Sequence, residues 1–157
     1  MRRIALMLLG LVAIAGSVVA CSKPEPSVSF FSAGHSINTL PIQYCNAAVT
    51  ACYTADGQAA TLRVPAGKPL QISVPSDVAD AVWVVVFKYK DGNGAVQQDR
   101  SPVFPSSSQF AYTLTMPTPS DQLVLAQVQE IGAVTMAPSD TAPSYQAVKV
   151  WALSATG

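Results

Sequence analysis

From Val28 onward, apolar and polar residues alternate with a period of two along much of the chain. Val28 to Phe31 is a short apolar stretch, and Ile42 and Tyr44 share a face just before Cys45. Leu62 and Val64 alternate with Thr61 and Arg63 before a Pro65-Ala-Gly turn. Leu70, Ile72 and Val74 alternate with Gln71 and Ser73 between Pro69 and Pro75. Phe110, Tyr112, Leu114 and Met116 alternate with Ala111, Thr113 and Thr115 up to Pro117. Alternation of this kind puts one face of a strand in a core and the other in water. Two runs, Val82 to Phe87 and Leu123 to Val128, are apolar on both faces and predict central strands, covered on both sides. A last strand spans Tyr145 to Leu153. Prolines fall at strand ends, where a missing N–H does least harm. No segment has the spacing of an amphipathic helix of about ten residues or more.

About eight strands separated by turn signals predict an all-β fold, an antiparallel immunoglobulin-like β-sandwich of about 7–9 strands over residues 28–157. Trp83 stands on the longest apolar strand, where immunoglobulin-like sandwiches bury a tryptophan. Cys45 and Cys52 are too close in sequence to be the inter-sheet bridge of an antibody domain. Trp83, Val85, Phe87 and Tyr89 fall on one face of their strand, and with Phe110 and Tyr112 they fit inward positions. The core is the default for such a set. A pocket lined by Trp83 and Phe87 is the alternative, and it would suit a lipid or glycan.

The first 20 residues follow a different pattern. Arg2 and Arg3 precede an uncharged, apolar run from Ile4 to Ala20 that ends Val18-Val19-Ala20-Cys21. A basic start, an apolar stretch and a small residue before the cleavage point describe a secretory signal peptide. A cysteine directly after such a stretch has the form of a bacterial lipobox. Cleavage after Ala20 would make Cys21 the new N-terminus, and its sulfur is the nucleophile that accepts the lipid. The domains are then a cleaved leader, 1–20, a lipidated and proline-containing tether, 21–27, and the sandwich, 28–157. An uncleaved membrane span or an ordinary signal peptide are the competing readings, and all three imply export.

Composition narrows the function further. The 157 residues carry 9 Lys+Arg and 9 Asp+Glu. Half are apolar and 11% are charged, which excludes a disordered chain. No basic excess or stripe points to nucleic acid. Beyond residue 20, Lys23, Arg63, Lys68, Lys88, Lys90, Arg100 and Lys149 face 9 acidic residues, 7 − 9 = −2. Membrane attachment must therefore rest on lipid chains, not on a polybasic patch. With Cys21 assigned to lipid, Cys45 and Cys52 predict a disulfide around a short loop.

Chemistry-bearing motifs are sparse. Asp91-Gly-Asn-Gly94 could open a calcium loop, but the later acidic ligands are missing and a hairpin turn explains it. His35, the one histidine, lies between Gly34 and Ser36 and reads as a loop residue. Asp77 and Asp80 suggest a short helical turn or loop. Nucleophile elbow, phosphate loop, dinucleotide fingerprint and zinc spacing are all missing from the sequence. The expectation is no catalytic residue, no metal and no cofactor.

Taken together, the Val18–Cys21 lipobox, the Cys45/Cys52 pair, the Leu70-Gln-Ile-Ser-Val-Pro75 strand and the Val82–Lys90 strand with Trp83 resemble those of a family of small actinobacterial cell-envelope lipoproteins, domain of unknown function 2771. The resemblance covers essentially the whole mature chain. It implies an envelope location and carries over no functional position except Cys21. The leading expectation is a non-enzymatic lipoprotein on the outer face of a bacterial cell membrane, acting as a binding or structural module for another envelope protein. A carrier of a hydrophobic envelope lipid or glycolipid is the first alternative, and a small envelope hydrolase is the second.

Overall fold

A computed structural model describes residues 24–46, 48–54, 58–135 and 143–157. Cys21 and the leader lie outside these. The described residues form eleven strands and one short helix: β1 Val28–Ser32, β2 His35–Thr39, β3 Gln43–Cys45, β4 Cys52–Thr54, β5 Ala60–Arg63, β6 Leu70–Ser73, α1 Ser76–Ala79, β7 Trp83–Lys90, β8 Val96–Arg100, β9 Ala111–Leu114, β10 Gln122–Thr135 and β11 Ser144–Thr156. They make a two-sheet sandwich. One sheet has four strands in the order β2-β1-β6-β9. The other has seven, β4-β3-β11-β10-β7-β8, with β5 added beside β11. Pairing is antiparallel except between β5 and β11, which run parallel.

Both strands with two apolar faces, β7 and β10, are internal to the large sheet, as their composition requires. Inward-facing Trp83, Val85 and Phe87 of β7 meet Ala126 and Val128 of β10 and Trp151 and Leu153 of β11. Val28 and Phe30, Leu70 and Ile72, and Leu114 close the core from the small sheet. Trp83 and Trp151 are its largest side chains, and both are fully buried.

The outer face of β7 is covered too, since Val84 is only 1% exposed. Its cover is the long β10–β11 hairpin. The register slips at Ile131 and again before Ala133, so Val148 and Gly132 become unpaired bulge residues facing each other. Bulges bend and twist a ribbon. Beyond them the Tyr145 ring lies 4.8 Å from the Arg100 guanidinium. Arg100 is on β8, three strand spacings or about 14 Å from β11 across the sheet. The hairpin must therefore fold back over the outer face to make this contact. A Cβ at Gly132 would run into Val148 Cγ1. Gly132→Ala is accordingly expected to destabilise the fold by about 1–3 kcal/mol, read as a lower urea midpoint.

Three strands escape the sequence pattern, and each has a physical reason. In β2, His-Ser-Ile-Asn-Thr is almost wholly polar because it is an edge strand. His35 therefore begins a strand and is not a loop residue. Ala33 and Gly34 both adopt positive φ, 48° and 85°, a two-residue hairpin turn that an Ala-Gly pair does not advertise. Edge strand β8 is exposed at every position, and β4 is three residues held to β3 at the other edge. Phe110 also departs from expectation. It precedes β9 at the end of the small sheet and is 50% exposed, so it is not part of the core.

Candidate functional site

Cys45 and Cys52 stand directly opposite each other in the β3–β4 pair and form a disulfide. The register explains how seven residues of separation suffice. Asn46 organises the enclosed turn, its side-chain oxygen accepting from the Thr50 N–H at 2.9 Å and its own N–H donating to Ala51 O at 2.9 Å. The bridge ties adjacent strands of one sheet, as its spacing predicts. A disulfide of this kind fits an oxidising, extracytoplasmic compartment.

Trp83 and Phe87, the aromatics named as pocket or core, fill the core at 0% and 5% exposure. The Trp83 ring lies 4.4 Å from that of Phe104, and its indole N–H donates to Gln109 O at 3.2 Å. A buried indole needs such an acceptor. Both rings belong to the packed core cluster.

The turn at Asp91 uses its own carboxylate. Asp91 Oδ1 accepts from the Asn93 and Ala95 N–H groups, both at 2.9 Å, and Oδ2 accepts from Gln97 Nε2 at 3.1 Å. The Gln97 contact, with the backbone donors behind it, holds the Asp91 carboxyl below its ordinary range. These oxygens serve the β7–β8 hairpin, as the turn reading holds. Asp80, at the C-terminal end of α1, accepts from Ser107 Oγ at 2.9 Å. His35 pairs with Ser32, at the far end of β1 from the Val28 end to which α1 is attached through β6. It is therefore not brought together with Asp77 or Asp80. Among the described residues, no group of three or more His, Cys, Asp or Glu side chains is placed to hold a metal ion.

Two features were not evident from the sequence. One is the outer face of the small sheet, where a shallow depression of about 230 Å3 is floored by Ser29, Phe31, Ser36, Gln71, Ser73 and Thr113. None of its lining residues is charged, and Phe31 is 41% exposed at its centre. The alternation of Ser29 and Phe31 with the buried Val28 and Phe30 was its only trace in the sequence. Such a face offers hydroxyl and amide hydrogen bonds around one apolar contact, the composition of a binding surface for an uncharged ligand or a polar protein face.

The other feature is the entry of the chain. Pro24 to Ser27 does not hang free. Pro26 O accepts from the indole N–H of Trp151 at 2.9 Å, and the Glu25 carboxylate accepts from Tyr44 OH at 2.6 Å. Burial and the Glu25 contact push the Tyr44 phenol well above its ordinary value, so it stays a donor. Beside it Lys149 pairs with Glu130 at 3.1 Å. Trp83, Glu130, Lys149, Tyr44 and Tyr53 form one row across the large sheet, next to the disulfide. Among the described residues, no helix is long and apolar enough to cross a membrane.

The fold and its stapled edge define a small disulfide-bonded β-sandwich, a class that suits an oxidising, extracytoplasmic environment. The chain matches the family described as protein of unknown function (DUF2771) over residues 22–156, and it belongs to that family. No curated protein and no solved structure matches it.

Proposed function

We propose that this protein is a lipoprotein of the bacterial envelope: a non-catalytic binding module, anchored at Cys21 to the outer face of the cell membrane, that engages another envelope protein. The observation that carries the reading is the fixed entry of the chain. Glu25 and Pro26 are locked onto the sandwich four and five residues after Cys21, so the fold begins where a lipid on that cysteine would end. The lipobox form of Val18–Cys21 and the Cys45–Cys52 disulfide support the same compartment. The actinobacterial origin suggested by the sequence resemblance belongs to this proposal as well. The uncharged face around Phe31 is the surface offered for binding.

Metabolic labelling with a fatty-acid analogue tests the anchor. The wild-type chain is expected to take up label and to fractionate with membranes, and Cys21→Ala to do neither. Equal labelling of the two would sink the proposal.

A further inference from the structure

The docked entry segment fixes more than an attachment point. From Cys21 to Glu25 is four residues, at most about 14 Å of extended chain. Glu25 and Pro26 are both held by hydrogen bonds to the large sheet. A chain fixed so close to its lipid cannot let the domain tumble freely; one end must stay near the bilayer.

The pairing register identifies that end. In the small sheet, Ser29, Ser73 and Ala111 lie in one row, and Val28 and Thr39, with Val74 hydrogen-bonded to Phe110, lie in the next. Leu40 and Ser27 follow immediately beyond. In the large sheet the same end holds Tyr44 and Tyr53. Leu40, Tyr53 and Phe110 are 54%, 69% and 50% exposed, half of the six large exposed hydrophobics among the described residues. All three lie at the end of the sandwich where the chain enters. A tyrosine and two apolar side chains at such a site suit the headgroup boundary, where one part of a side chain is apolar and another wet.

Both ends carry both signs, with the cation excess at the far one. Glu25, Asp80, Glu130 and its partner Lys149 lie toward the entry end, while Arg63, Lys90, Asp91 and Asp121 lie toward the other. Lys68 joins them there, beside Gly67, which approaches Pro119 O. Attraction of cations to anionic lipid would turn the domain the opposite way, so the short tether and the uncharged side chains must set the orientation.

We infer that the sandwich stands end-on on the membrane carrying its own lipid, with Leu40, Tyr53 and Phe110 toward the headgroups and the Arg63–Lys68–Lys90 end pointing away. This rests on the lipidation at Cys21 proposed above. The test uses the full lipidated chain, isotopically labelled, in nanodiscs of phosphatidylcholine and phosphatidylglycerol doped with a gadolinium-headgroup lipid. Amide signals of Leu40, Tyr53 and Phe110 are expected to broaden several-fold more than those of Gly67, Asn93 and Gly94. Uniform broadening, or a gradient running the other way, would overturn the orientation. Intact mass of the same sample separates the two ideas. A lipidated chain with uniform broadening refutes only the orientation, whereas a chain without lipid on Cys21 refutes both.

Discussion

Trp83→Ala is expected to lower the unfolding free energy by about 3–5 kcal/mol, the cost of emptying a fully enclosed indole site. Two losses coincide there. The ring gives up its contact with Phe104, their centroids 4.4 Å apart, and Gln109 O loses the indole N–H that donates to it. Total stability of a domain this size is about 5–15 kcal/mol, so the variant stands close to unfolding. Arg63→Ala provides the contrast. Arg63 is exposed and makes one long contact, Nε to Gly157 O at 3.4 Å, so its removal should cost within about 0.5 kcal/mol. Urea unfolding of a soluble chain beginning at Ser22 compares them. A Trp83→Ala midpoint equal to wild type, with unchanged slope, would remove Trp83 from the core.

Trp151→Ala is expected to cost a similar amount, about 3–5 kcal/mol, since this ring is also wholly buried. A second variant separates its two roles. Trp151→Phe keeps most of the apolar volume but loses the donor to Pro26 O. Its expected cost is smaller, about 1–3 kcal/mol from an unpaired carbonyl and a partly filled site. It should also expose the Ser27 and Val28 amides to faster hydrogen exchange, while the Val85 and Val128 amides stay protected. Exchange at Ser27 and Val28 as slow as in the wild type would mean that the indole bond does not hold the entry segment.

Legibility followed burial. Strands with a strong apolar face, such as Leu70-Gln-Ile-Ser and Ala111-Tyr-Thr-Leu, could be read because one side of each must meet the core. The central positions of β7 and β10 followed from their lack of a polar face. Edge strands β2, β4 and β8 are polar and short, so no periodicity marks them. The disulfide could be anticipated from cysteine count and export. The neutral face around Phe31 could not, because it is assembled from strands β1, β2, β6 and β9, whose adjacency no local pattern encodes. The docking of Glu25 and Pro26 escaped notice for a related reason. A Pro-Glu-Pro segment reads as an extended spacer, and its partners Tyr44 and Trp151 lie 19 and 125 residues away.

Intact mass of the chain purified from membranes, alkylated without reduction, tests the central claim most directly. The account predicts a chain that starts at Cys21, carries a diacylglyceryl group there, and takes up no alkylating reagent at Cys45 or Cys52. A lipid-free chain, or one with two alkylated thiols at Cys45 and Cys52, would contradict it.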